Sequence, residues 1–410
     1  MSIEENPRRQ LTTLLVIVFL GFVGLSMPYL IFPVLFLNPA YSIVPEAWGS
    51  TGTAIALGVT LAAYPLGQFV GSPILGALSD DYGRKKLLAL SLLVAAAANL
   101  LSAYSLEWRN LGLLIFSRGV AGLMEGNLAI ARAMATDLKT ISKHETFGKI
   151  NSVASIAYLV GPLLGGILSD ADLDSKFSLA TPFYVISVFF VLLSGLTAFA
   201  LVERPRSPTT SKGVRERLNV LGRLSVLFGN KYLKFLLIVS TLQTLAVDIF
   251  YEFGSVYLTA KWMLSPAQLV LFNSLVCISL AIGSGWMLRA LSKRFSSQKV
   301  MVWSTASMAL LLVGIVLSND WTSMLALFAL IGISIALCTT LLTILISDSV
   351  DDDIQGEVMG VQISLRVLGD AVICLLGGVL LLISPKVILL VAAALSLVST
   401  LYYVQGQRKV

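Results

Sequence analysis

Apolar residues fill this chain in long runs, and short polar loops interrupt them at nearly regular intervals. A helix that crosses hydrocarbon needs about 20 mostly apolar residues. Twelve runs reach that length: 12–37, 50–78, 86–105, 110–134, 147–169, 180–202, 232–258, 267–291, 298–318, 321–346, 357–382 and 385–404. The pattern predicts an all-α polytopic membrane protein. Most connections are short. The exception, 203–231, is rich in Pro, Ser and Thr and then turns basic. It divides the chain into a first six-helix bundle (1–202), a cytoplasmic linker (203–231) and a second bundle (232–410). Within the linker, 214–228 reads as an amphipathic surface helix with Arg215, Arg217 and Arg223 at the headgroups. The polar start MSIEENPRRQ leads into an apolar run with no small-residue cleavage site after it, so no cleaved signal peptide is expected.

Composition narrows the class further. Of 410 residues, 56% are hydrophobic and 13% are charged. A soluble domain carries roughly 25% charged residues, so this chain could not cover a water-facing surface of its size. Cys277, Cys338 and Cys374 all lie inside apolar runs, and His144 is the single histidine. That excludes a disulfide scaffold and a structural zinc site, and no metal or cofactor is expected. The net charge of +6 is an address label rather than a nucleic-acid signal. Of 29 lysines and arginines, only Arg109, Lys176, Lys261 and Lys386 fall on the outer side when the N-terminus is inside. Arg118, Arg132 and Arg366 lie within spans, and all the others fall on inner loops or termini. By the positive-inside rule both termini are cytoplasmic.

The loop after the second span, Gly76 to Leu87, reads GALSDDYGRKKL, and the loop after the eighth reads LSKRFSSQKV. Aligning Leu78-Ser79 with Leu291-Ser292 places Lys86 on Lys299. The second copy keeps the basic character and loses the acid and glycine. Two six-helix halves with a degenerate repeat suggest duplication, a common transporter plan.

At these residues the sequence resembles the major facilitator superfamily, over the whole chain. Gly76, Asp80, Gly83, Arg84, Lys85 and Lys86 match its signature loop between helices 2 and 3. The resemblance implies a gate cluster that latches the two halves, joined by Asp137 at the inner end of the fourth helix. Independently of the resemblance, Gly83 permits a tight turn, and Asp80 can meet Arg84 or a neighbouring helix N-terminus. The fifth span carries Gly161-Pro162-Leu-Leu-Gly165-Gly166, similar to the motif of the family's drug/proton antiporters. Proline interrupts the helical bonding and close glycines allow tight packing. Arg118-x-x-x-Gly122 is similar to a pattern whose arginine the family links to proton transfer. Pro28 and Pro33 resemble its proline-containing first helix.

Ionisable groups in hydrocarbon are expensive and point to function by default. Arg118, Glu125 and Arg132 are spaced by seven, which places them on one face of a continuous helix. Glu125 is read either as an exchangeable proton site or as a static ion pair. Asp248 and Glu252 share a face of the seventh span, amid Phe250, Tyr251, Phe253 and Tyr257. Arg366 and Asp370 read either as an intrahelical ion pair or as a substrate-facing pair. Asn127, Gln243 and Gln362 are candidate cavity residues. The acidic run 348–353 with Glu357 could cap the eleventh helix or meet the basic inner loop.

These readings predict a secondary active transporter in a cell membrane, expected to be a bacterial inner membrane. It would be a monomer in the lipid bilayer, exporting a small amphipathic organic molecule or drug in exchange for protons by alternating access. Glu125, Asp248, Asp370 and Arg118 are the proton-coupling candidates. Arg118, Glu125, Asp248, Glu252, Arg366, Asn127, Gln243 and Gln362 are the cavity candidates. The alternative is a transporter of an anionic metabolite or siderophore, clamped by Arg118 and Arg366. A receptor with a retired transporter fold is a third reading. An enzyme is the least supported, because no nucleophile–base arrangement is legible.

Overall fold

In the computed structural model, the described residues are 7–136, 138, 143–171, 173–203, 231–349 and 352–407. The expected linker helix, Asp137 and Asp351 lie outside them, as do the side chains of His144, Asp352, Asp353 and Glu357. Fifteen α-helices are described: α1 Pro7–Ser26, α2 Ile31–Leu37, α3 Gly49–Tyr82, α4 Arg84–Glu107, α5 Leu111–Leu123, α6 Gly126–Thr136, α7 Lys143–Leu168 and α8 Thr181–Ala200; then α9 Lys231–Trp262, α10 Pro266–Ile282, α11 Leu288–Ser292, α12 Ser297–Leu317, α13 Trp321–Ser347, α14 Asp352–Leu381 and α15 Pro385–Gln407. Among the described residues eleven helical stretches are long and apolar enough to cross a membrane, and Ser152–Leu168 of α7 is a shorter apolar stretch.

Three predicted helices are interrupted in the structure. The eighth span is α10, a π-helical turn at Gly283–Met287, and α11. The first span is α1, one 3₁₀ turn at Met27–Leu30, and α2. Pro28 sits at the start of that turn and has no N–H to donate, so the helix tightens there. The fourth span, expected to be continuous over 110–134, stops at Leu123 and restarts at Gly126. Glu125, Asn127 and Leu128 each donate a backbone N–H to the carbonyl three residues back. A Cβ on Gly122 would collide with the backbone of Tyr64 in α3, so the chain approaches α3 most closely just before the break. The seven-residue spacing therefore does not run along one uninterrupted helix face, because Glu125 sits in the break itself.

By contact the chain forms two compact units. The first holds the described residues of Met1–Ala47, Val59–Asn219 and Ser265–Ala267. The second holds those of Trp48–Gly58, Val220–Leu264 and Gln268–Val410. α3 thus belongs to both, with its first ten residues in the second unit.

In the first unit α1 packs on α7, and α4 packs on α5 and α8. In the second unit α9 packs on α14, and α12 packs on α13 and α15. Counted by span, these are the same pairs: first with fifth, third with fourth, third with sixth. The polar contacts repeat as well. Ser102 and Ser117 share a 2.8 Å hydrogen bond between the third and fourth spans. Ser307 and Ser334 share one of 2.8 Å between the ninth and tenth. Asn110 caps α5 by accepting from the Leu113 N–H at 3.0 Å. Asp320 caps α13 by accepting from the Ser323 N–H at 2.8 Å. These donors, the Ser323 backbone foremost, hold the Asp320 carboxyl below its ordinary range. The duplication that the loops preserve faintly is thus clear in packing.

Gly161 and Gly165 of α7 abut the end of α1, where it gives way to the 3₁₀ turn. A Cβ on Gly161 would strike Ser26, and one on Gly165 would strike the Met27 carbonyl. Pro162 and Gly166 are buried between them, and α7 remains helical through Pro162. The antiporter-type motif therefore seats α7 on the one place where the first span is not α-helical. Gly165→Val should lower stability by about 1–3 kcal/mol through overpacking. Gly195→Ala, which meets nothing within 4 Å, should not. Thermal unfolding of the two variants in detergent checks this.

Candidate functional site

The first unit carries a buried polar cluster at the break in the fourth span. The Tyr64 hydroxyl donates to Glu125 Oε2 at 2.6 Å. The Arg118 guanidinium lies 4.5 Å from the centroid of the same tyrosine ring. The rings of Phe32, at 5.5 Å, and Phe183, at 5.9 Å, complete an aromatic cage around it. Cation–π contact of this kind compensates a desolvated guanidinium. Arg118 is 4% exposed and Glu125 is 7% exposed. Both line a cavity of about 10 Å³ with Tyr64, Asn99 and Asn127, a volume close to that of one water molecule. Asn99 donates to the Ala95 carbonyl at 2.8 Å, and its Oδ1 has no protein partner. Arg132 lies apart from Arg118, 5.2 Å from the centroid of Phe22. Sequence reasoning missed Tyr64, since a tyrosine in an apolar run carries no charge to draw attention.

The second unit carries a cluster with different wiring. Arg366 Nη2 meets Asp248 Oδ1 at 3.0 Å, and its Nε donates to Oδ2 at 3.3 Å. The i,i+4 spacing favoured a pair within one helix, with Asp370. The ion pair found runs instead from α14 to α9. Asp248 is nearly sealed, and the two-pronged guanidinium gives it a counter-charge that reaches into that burial. The Arg366 side chain itself is 54% exposed. Asp370 is half-buried, with Cys374 Sγ 3.9 Å from its Oδ1. Glu252 is half-buried on α9. Gln362 donates to Ser240 Oγ at 2.8 Å. Gln243 is fully buried: its Nε2 points at Met308 Sδ (3.0 Å), and its Oε1 accepts from Ser396 Oγ (3.1 Å). Those partners lie on α12 and α15, so Gln243 ties helices together.

At the signature loop, Asp80 and Arg84 pair at 3.5 Å. Gly76, one turn before Asp80, accepts from Ser79 Oγ at 2.8 Å. Gly83 joins α3 to α4 with φ +98°, a conformation that favours glycine. As the residue before α4 it has no side chain to cap the helix. Glu203, just beyond α8, supplies the cap. Its carboxylate accepts from the N–H groups of Arg84, at 2.9 Å, and Lys85, at 2.8 Å. An anion suits the positive end of a helix. Glu203 was not anticipated, because it lies 119 residues from its partner.

The sequence pattern of the Major Facilitator Superfamily matches residues 14–372, and in a second match 255–409. The chain belongs to this superfamily. It is a multi-pass membrane transporter. Over 187 residues it is 34% identical to the tetracycline resistance protein, class H, of Pasteurella multocida. That match spans 45% of this chain and 44% of the relative, so the chain covers less than half of that relative's length. The quinolone resistance protein NorA of Staphylococcus aureus is 25% identical over 332 residues, 78% of this chain and 77% of NorA. Two crystal structures share the fold. The human organic anion transporter MFSD10 (TETRAN) aligns with TM-score 0.67 and 19% identity over 98% of this chain and 100% of its own. The nucleoside transporter NupG aligns with TM-score 0.71 and 15% identity over 97% and 98%.

Two outcomes are expected of this transporter. Arg366→Ala strands a buried carboxylate and should destabilise by about 3 kcal/mol, the lower end for such breaks because the Arg366 side chain is 54% exposed. The double variant Asp248→Asn/Arg366→Gln should recover most of that loss in thermal unfolding. Glu203→Gln should loosen the start of α4, read as several-fold faster tryptic cleavage after Arg84 and Lys85.

Proposed function

We propose that this transporter exports a small amphipathic organic molecule in exchange for protons, by alternating access of two six-helix bundles with both termini cytoplasmic. The observation that carries the reading is Glu125: a buried carboxyl, in a helix break, held by a neutral hydroxyl and with two arginines, Arg132 and Arg118, acting on it. A carboxyl fixed by a strong ion pair would release its proton and never take it back. One held by a tyrosine hydroxyl can exist in both forms. The relatives' names, tetracycline and quinolone resistance, support an amphipathic drug-like cargo. In this reading Arg118 tunes Glu125 from within its aromatic cage. Asp248, Arg366 and Asp370 form the second charged centre, with Glu252, Asn127 and Gln362 as further polar contacts. The Asp80–Arg84 pair, Gly83 and Asp137 serve the inner gate.

One observation favours a second reading. Arg366 is exposed enough to grip an anionic cargo, whereas Arg118 is enclosed by rings and is a poor clamp. An anion transporter built on Arg366 alone would be stabilised by organic acids in a thermal-shift series. The drug reading predicts stabilisation by lipophilic cations instead.

The main test uses the purified protein in liposomes. An imposed pH gradient should drive accumulation of a lipophilic cation such as tetraphenylphosphonium, and collapsing the gradient should abolish it. Glu125→Gln should lose gradient-driven accumulation at least tenfold while keeping exchange of labelled for unlabelled cation. Accumulation that survives collapse of the gradient would sink the proton-coupling claim.

A further inference from the structure

Tyr64 stands where four features meet. Its hydroxyl is hydrogen-bonded to Glu125 at 2.6 Å. Its ring is one wall of the Arg118 cage, 4.5 Å from the guanidinium. Its backbone is the surface against which Gly122 packs. The next residue is Pro65, inside α3. A proline within a helix removes the N–H that would bond the carbonyl four residues earlier, here Leu61, so the helix is weakened along this turn, as it is again at Pro73. α3 is also the helix shared between the compact units: 48–58 group with the second, and Val59 onward with the first. Tyr64 thus lies six residues from the changeover, beside a weak point.

We propose that Tyr64 is a positioning residue that passes the charge state of Glu125 to α3. This rests on the reading of Glu125 as the proton carrier. When Glu125 is ionised, the tyrosine hydroxyl donates to a carboxylate. A charge-assisted bond of that length is about twice as strong as a neutral one. When a proton binds the carboxylate oxygen, Tyr64 keeps its own proton and faces a neutral acid that is itself a donor. The hold of the break on α3 then weakens, and the turn around Pro65 is free to open. No bond other than the O–H of Glu125 is made or broken. The other charged or titratable groups facing this pair are Arg118 on α5, Arg132 on α6 and Tyr158 on α7. Each of them remains in place in the variants chosen below.

Two measurements on the full chain in liposomes test the proposal without a substrate. Infrared difference spectra between acid and mildly alkaline pH identify the Glu125 carboxyl as the band absent from Glu125→Gln. Hydrogen–deuterium exchange, corrected for intrinsic rates, reports opening of the α3 segment 60–69. In the wild type, the proposal expects exchange there to rise about tenfold as the Glu125 band appears. Tyr64→Phe keeps the ring in the Arg118 cage. It should show fast exchange at every pH while its Glu125 band still titrates. Glu125→Gln should also be fast throughout, and the double variant should match it. A Glu125 band that titrates while wild-type exchange in 60–69 stays constant overturns this inference and leaves the proton-carrier reading standing. A Glu125 that never titrates overturns both. A Tyr64→Phe variant that keeps the wild-type pH response shows that α3 senses Glu125 by another route and overturns the inference.

Discussion

A polar group carried into hydrocarbon has no water to fall back on, so the protein must supply its partner. That requirement organises this structure. Many buried serines and threonines return their hydroxyls to carbonyls of their own helix or to the next helix, as Ser194 does to Ala89 and Ser399 to Val239. Gln243 fastens three helices of the second unit because its amide has to be satisfied there. The same demand brings Arg366 across to Asp248 and wraps Arg118 in rings. In water these groups could be left to the solvent, whereas here they fix helix positions.

Against that background the two charged centres differ in kind. In the second unit a carboxylate is matched by a guanidinium through two contacts, an arrangement that holds charge in place. In the first unit the acid meets a hydroxyl and shares its surroundings with an arginine that is compensated by aromatic rings. One carboxyl is thus held by a counter-charge across two helices, and the other by a neutral hydroxyl. The helix break at Glu125 and the 3₁₀ turn after α1 belong to the first unit, and a π-helical turn at Gly283–Met287 interrupts the eighth span in the second.

Much of this was legible in the residues. Run lengths predicted the spans, and Lys/Arg placement gave an orientation. The loop from Gly76 to Lys86 pointed to the superfamily. Arg118, Glu125, Asp248, Arg366 and Asp370 stood out because each costs free energy in an apolar run. Tyr64 and Glu203 did not. The first is unremarkable in an apolar sequence, and the second sits at a membrane edge where acids are common. Their importance lies in what they touch, 61 and 119 residues away.

The sequence by itself therefore determined the solvent, the order of the apolar spans, and which side chains had to find partners, because all three follow from local hydropathy and charge. Only the tertiary structure decided who those partners are. Arg366 on α14 pairs across helices with the nearly sealed carboxylate of Asp248 on α9. The fourth span broke at Glu125 where glycine lets two helix backbones meet. Such choices depend on distances between segments remote in the chain, and neither periodicity nor spacing along one helix encodes them.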